Sequence, residues 1–137
     1  MSRNLHDIVK SYDVRGLVAS QLTPEVAYAL GYATCKELDL QGKGFIVGHD
    51  MRPSSPELAR ALEAGAALAG AAVRQVGLAS TDMVYFASGL FGEAAAMITA
   101  SHNPPEYNGI KFSRAGAKGV SLNTGLSGIR DRAQRLL

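Results

Sequence analysis

Strand-like segments and helix-opening signals alternate along this chain, and a proline or glycine marks most of the changes. Phe45-Ile46-Val47 and Ala94-Ala95-Ala96-Met97-Ile98 read as buried strands, and Val73-Arg74-Gln75-Val76-Gly77 as another strand. Helix starts stand between them. Thr23-Pro24-Glu25 sets an N-cap hydroxyl, a first-turn proline and an acid in succession; Val26, Leu30, Ala33 and Leu38 follow on roughly one face, and Gly42 lies just past the predicted end. Ser54-Ser55-Pro56-Glu57 opens a second helix with an early proline and a Ser-x-x-Glu capping box, and Leu58, Leu62, Ala66 and Ala69 form its core side. Its small residues, from Ala64 to Ala72, predict a close approach to the sheet. Ser80-Thr81-Asp82 caps a shorter helix through about Ala87, ended by Gly89.

Two further segments frame this core. Ile8 to Val18 reads as a short strand running into a glycine turn at Gly16, and Leu126, Ile129, Ala133 and Leu136 repeat at helical spacing after the glycine-rich turn from Arg114 to Gly119. Strand and helix therefore take turns from one end to the other. This order predicts the α/β class: a three-layer α/β/α domain with a mixed, mostly parallel sheet and helices on both faces. The opening strand and the strand at Ile110 are predicted to run antiparallel to the others.

At 137 residues the chain has the size of one domain, spanning 1–137, and 47% hydrophobic with 19% charged residues suffices for an ordinary core. The formal net charge is only +2, without a basic stripe or aromatics interleaved with Lys and Arg, which argues against nucleic acid as a partner. Cys35, the single cysteine, falls in a helical pattern and reads as a buried, reduced thiol. Neither Met1 to Asp7 nor any later run has the apolar length of a signal peptide or a membrane span, so a cytoplasmic location without membrane contact is expected.

The chemistry concentrates in Met97 to Phe112. An apolar run leads into Thr99-Ala100-Ser101-His102-Asn103-Pro104-Pro105-Glu106-Tyr107-Asn108-Gly109-Ile110-Lys111, a loop between two strands that holds hydroxyl, imidazole and amide side chains. The adjacent prolines fix their own φ and restrict the residue before each, so the loop should be stiff; Asn108-Gly109 offers a turn before the strand resumes at Ile110. Ser101 is then either a nucleophile on a firm base or a turn-forming hydroxyl. Neighbouring Ser101 and His102 point to opposite sides of an extended segment, and no nucleophile-elbow pattern surrounds the serine, which disfavours a serine hydrolase. Gly42-Lys43-Gly44 precedes a strand instead of following one, and the histidines His6, His49 and His102 are not grouped as zinc ligands.

The stretch from Thr99 to Lys111 resembles the phosphoserine loop of the α-D-phosphohexomutases, in particular the bacterial phosphomannomutase/phosphoglucomutase branch. Tyr12-Asp13-Val14-Arg15-Gly16 is similar to that family's N-terminal strand and turn, and Gly48-His49-Asp50-Met51-Arg52 to one of its loops. The resemblance implies the first domain of an enzyme that usually has four, and it implies roles. Ser101 would carry the phosphoryl group exchanged with a hexose 1- or 6-phosphate by way of a hexose 1,6-bisphosphate, and a phosphate oxygen on it would be a Mg²⁺ ligand. Lys111, ten residues on, would act as general acid or base; its alternative is a solvated strand lysine. Arg15 would hold phosphate, or form only a surface ion pair. Tyr12 would line the sugar site, or pack in the core. His102 would bond the transferring oxygens, or only shape the loop, while Asp50 and Arg52 brace it.

The family's alternating aspartates for metal, its Gly-Glu-x-Ser-Gly loop and its Arg-x-Ser-Gly-Thr motif have no counterpart here, since Gly92-Glu93 continues as Ala94-Ala95. The resemblance therefore implies a domain that is inactive alone and works with the missing C-terminal domains on a mannose or glucose phosphate. A non-catalytic module that binds a sugar phosphate or a protein through the same loop is the competing reading.

Overall fold

The computed structural model describes residues 4–137, which leaves Met1-Ser2-Arg3 of the expected leaderless start outside the described residues. The elements in order are β1 (Val14–Leu17), α1 (Pro24–Glu37), β2 (Gly44–His49), α2 (Ser55–Ala69), β3 (Ala72–Leu78), α3 (Thr81–Phe91), β4 (Ala94–Ile98), β5 (Tyr107–Arg114), β6 (Lys118–Gly119) and α4 (Leu126–Leu136), with 3₁₀ turns at Leu5–Asp7 and Leu122–Thr124. The sheet runs β1-β5-β4-β2-β3, and β6 pairs with β5. This is the expected three-layer α/β/α architecture with a mixed sheet.

Alternate residues of the central strands feed two cores. Phe45 and Val47 of β2, Ala94, Ala96 and Ile98 of β4, and Ile110 and Phe112 of β5 pack against α1, α2 and α4. Ile46, Ala95 and Met97 face the other way and meet Val84 of α3. Fully buried Phe45, Leu30, Leu58 and Leu62 each contribute roughly 1.5–3 kcal/mol of hydrophobic stabilisation. The buried, free Cys35 sits in the larger core, and burial pushes its thiol up, as suits an unreactive cysteine.

Several local expectations are corrected. β5 alone opposes the rest: it pairs antiparallel with both β4 and β1, so β1 points the same way as β4. Gly16 lies inside β1, where a Cβ would press on Ile8; the turn comes after Leu17. Asn108 and Gly109 do not turn but continue β5, because pairing with β1 already begins at Tyr107 opposite Leu17. Gly89 is an interior residue of α3, which runs on to Phe91 and stops at Gly92 in the left-handed region (φ 63°).

The caps divide in the same way. Thr23 Oγ1 accepts from the Val26 amide at 3.4 Å and Ser80 Oγ from the Met83 amide at 3.1 Å, as expected. The capping box at Ser54 does not form: Ser54 already has near-helical dihedrals, and its Oγ accepts from Asn108 Nδ2 at 2.8 Å. A capping box is present instead at Ser121 and Thr124. The small residues of α2 serve a close helix crossing, and its buried Ala66 and Ala69 also join the core that it shares with the sheet. Gly65 lies against the Tyr28 carbonyl of α1, and reciprocally Gly31 lies against the Leu62 carbonyl of α2, too close for a Cβ at either place.

Candidate active site

β4 ends at Ile98, and Thr99 and Ala100 separate it from Ser101, which is exposed. Ser101 has φ 53°, a left-handed conformation that an L-residue with a Cβ enters at a cost of about 1 kcal/mol and keeps only where its surroundings enforce it. Those surroundings are visible. The Ser101 amide donates to Thr99 Oγ1 at 3.1 Å, and the backbone amide and Nδ2 of Asn103 both donate to the Ala100 carbonyl, at 3.0 and 2.8 Å.

Arg52 completes the brace. One nitrogen, Nη1, donates to the carbonyls of Pro104 (2.8 Å) and Tyr107 (2.9 Å), and Nη2 donates to those of Ser101 (2.9 Å) and Asn103 (2.6 Å). A planar guanidinium suits this task because its donors leave in fixed directions. Asp50 holds the base of the arrangement: its Oδ1 accepts from the Arg52 amide at 3.0 Å and from Ser55 Oγ at 2.5 Å. The bracing role read for Asp50 and Arg52 in the sequence is thus what their side chains do.

Over β1 and β5 on the α3 face lies an open basin of about 750 Å³. Tyr12, Arg15 and Lys111 line it together, with Lys10 and Asp13 at one side and Tyr85 of α3 at another. Pairing explains the gathering. Arg15 stands opposite Gly109 and Lys111 opposite Met97, so both side chains share the face that α3 covers only in part. Tyr12 is 77% exposed, which removes the core alternative for it. Arg15 Nε donates to Asp13 Oδ1 at 3.2 Å, so the ion pair exists, yet its side chain is 41% exposed and its Nη donors have no partner among the described residues. Half-buried Lys111 has no hydrogen-bond or ion-pair partner among the described residues either. Three cations against one carboxylate make the basin receptive to an anion.

Ser101 and His102 do not line this basin; they ride on the exposed loop beyond the end of β4, and no hydrogen bond joins them. Sequence reasoning missed Tyr85. It follows a core valine in α3 and carries no local motif, so only the packing of α3 on the sheet brings it to the basin. Burial raises the phenol of Tyr85 above its ordinary value, and the nearby Asp13 charge adds to the shift. Among the described residues no group of three or more His, Cys, Asp and Glu could hold a metal ion. No helix among the described residues is long and apolar enough to cross a membrane.

A left-handed serine on a braced loop and a cation-lined basin on a mixed sheet are thus features of one α/β/α domain. Comparison with known proteins narrows the class. Residues 6–135 match the family described as phosphoglucomutase/phosphomannomutase, alpha/beta/alpha domain I. The chain belongs to this family. It is 44% identical, over 89% of its length, to a protein named phosphohexose mutases from Xanthomonas campestris pv. campestris, and 38% identical, over 93%, to a phosphomannomutase/phosphoglucomutase from Pseudomonas aeruginosa. It spans 27% and 28% of those two relatives. A solved phosphoglucomutase/phosphomannomutase family protein from Burkholderia thailandensis superposes with a TM-score of 0.83 at 33% identity, covering 99% of this chain and 31% of that one.

Proposed function

We propose that residues 1–137 are the phosphoserine domain of an enzyme that interconverts hexose 1-phosphates and 6-phosphates of mannose, glucose or both. Ser101 is the carrier. In the forward half-reaction the bond from Ser101 Oγ to phosphorus breaks as a hydroxyl oxygen of the bound hexose phosphate bonds to that phosphorus; the hydroxyl proton leaves to a base. Lys111 gives its proton to the departing Oγ, and Arg15 holds phosphate. The hexose 1,6-bisphosphate so formed turns around and returns its other phosphate to Ser101, with Lys111 taking the proton back. Tyr12 borders the sugar, and His102 lies beside the transferring oxygens.

The observation that carries this reading is Ser101 itself, held exposed at φ 53° by a loop whose carbonyls converge on Arg52. A solvent-facing hydroxyl does not need such a brace to satisfy a turn. A phosphoserine carries roughly −1.5 to −2 charges, which the basin's cations offset. In this reading phosphorylated Ser101 would supply one oxygen ligand to Mg²⁺, whose charge would offset that of the phosphoryl group, and the other ligands would come from the C-terminal domains, as would the grip on the far end of the sugar. The isolated domain is then inactive and the enzyme cytoplasmic. The test is mass spectrometry of the complete enzyme after incubation with a hexose 1,6-bisphosphate. Phosphate on Ser101 is expected; an active enzyme that never shows phosphate there overturns the assignment.

A further inference from the structure

Tyr85 occupies a place that the fold defines closely. Val84, one residue earlier, is fully buried against Ile46 and Met97, which fixes the rotation of α3 over the sheet. Ser88, one turn later, sits directly on β5: its Oγ accepts from Ser113 Oγ at 3.2 Å and donates to the Glu93 carbonyl at 2.7 Å. Residues three apart share a helix face, and residues two apart share a strand face. Tyr85 therefore relates to Lys111 as Ser88 relates to Ser113, and it lines the basin with Arg15 and Lys111.

Its chemistry differs from that of its neighbours. Lys10, Asp13, Arg15 and Lys111 are ionic, and Tyr12 is largely solvated. The half-buried Tyr85 brings a neutral hydroxyl that has no hydrogen-bond partner among the described residues. A phosphate answers Arg15 and Lys111, whereas a sugar hydroxyl needs a neutral group that both donates and accepts.

We infer that Tyr85 is a substrate-positioning residue, its phenol hydrogen-bonded to a ring hydroxyl of a hexose phosphate bound in the basin that it lines with Arg15 and Lys111. The inference rests on the proposed hexose phosphate exchange and names a contact within it. Because burial raises the phenol, the group stays protonated and able to donate at neutral pH.

The test uses Tyr85→Phe in the complete enzyme that carries this domain, which keeps the ring and removes the oxygen. The Michaelis constant for hexose 1-phosphate should rise about three- to tenfold, the scale of one hydrogen bond between neutral groups, with turnover within about twofold of wild type. Phosphate loading of Ser101 and competitive inhibition by inorganic phosphate should not change. In a series of deoxyhexose 1-phosphates, one analogue should erase the difference between wild type and variant, because it lacks the hydroxyl that Tyr85 holds. A merely structural tyrosine would weaken every analogue alike, and that result overturns the inference, as does an unchanged Michaelis constant with Ser101 normally loaded. If the variant proves unstable in a thermal melt, the wild-type series decides: no single deoxy position that weakens binding by about threefold or more again overturns it. Failure of wild type to load Ser101 or turn over hexose phosphate removes the underlying reading instead.

Discussion

Replacing Arg52 by alanine isolates the contribution of one side chain to the whole Ser101 loop. Its guanidinium serves four carbonyls, and its side chain is only 13% exposed, so solvent screening is limited. A hydrogen bond from a charged donor contributes about 1.5–3 kcal/mol. The four are not independent, and water can replace those to the exposed Ser101 and Pro104 carbonyls. Counting only the shielded bonds to Asn103 and Tyr107, at the low end of that range, gives a loss of about 3 kcal/mol, or roughly 10 °C in melting temperature for a domain of this size. Urea denaturation of the domain measures the loss, and hydrogen exchange at the Ser101, Asn103 and Tyr107 amides shows whether the loop has come free. Arg52→Lys should recover no more than about half, since one ammonium cannot reach carbonyls spread from Ser101 to Tyr107. A loss below about 0.5 kcal/mol with unchanged exchange, the range of an ordinary surface substitution, would refute the clamp.

Other expectations follow from single observations. Lys111→Met in the complete enzyme should lower turnover by roughly 10²- to 10⁴-fold with a smaller effect on substrate affinity; steady-state kinetics within about twofold of wild type would return Lys111 to a solvated strand lysine. Gly31→Ala, whose Cβ would strike the Leu62 carbonyl, should cost about 1–3 kcal/mol or more in urea melts, whereas Gly89→Ala, with only Ala117 Cβ nearby at 4.0 Å, should stabilise α3 by about 0.5–1 kcal/mol. Burial holds the Glu63 carboxyl above its ordinary value, so the folded chain binds that proton more tightly than the unfolded one, and stability falls as pH rises through the raised value. Glu63→Gln, keeping an acceptor for Gln75 Nε2, should match wild type at about pH 4 and melt higher at pH 7; the same difference at both values in thermal melts would count against this.

The layered architecture was legible because its signals are local. Thr23 and Ser80 cap helices in the structure for the reason their residue type suggests, and the apolar runs at Phe45 and Ala94 are buried strands. Misreadings arose where a neighbouring element outweighed local preference. Asn108-Gly109 has turn chemistry, but the buried Asn108 amide bonds both Ser54 and Ser55, and a Cβ at Gly109 would press on the Val14 and Thr99 carbonyls. The same contact explains the missing cap at Ser54: its hydroxyl is engaged across the chain, not along the helix. Nothing within a few residues of either serine announces a partner more than fifty positions away.

The candidate site shows the same division and gives it a use. Ser101, Lys111, Arg15 and Tyr12 were readable as residue types in motifs, yet the motifs did not say that the last three share a basin while Ser101 stands on the loop beyond it. That separation follows from strand register. Lys111 pairs with Met97, four residues before Ser101, and the chain between them leaves the sheet after Ile98. Under the proposed function, a carrier exposed past the strand end is open to a sugar phosphate from the solvent side. The cost of that placement is a loop outside the sheet's hydrogen bonding, and Arg52 ties its Ser101, Asn103 and Pro104 carbonyls to that of Tyr107 at the start of β5. The brace and the exposure of Ser101 are therefore two consequences of one strand ending early.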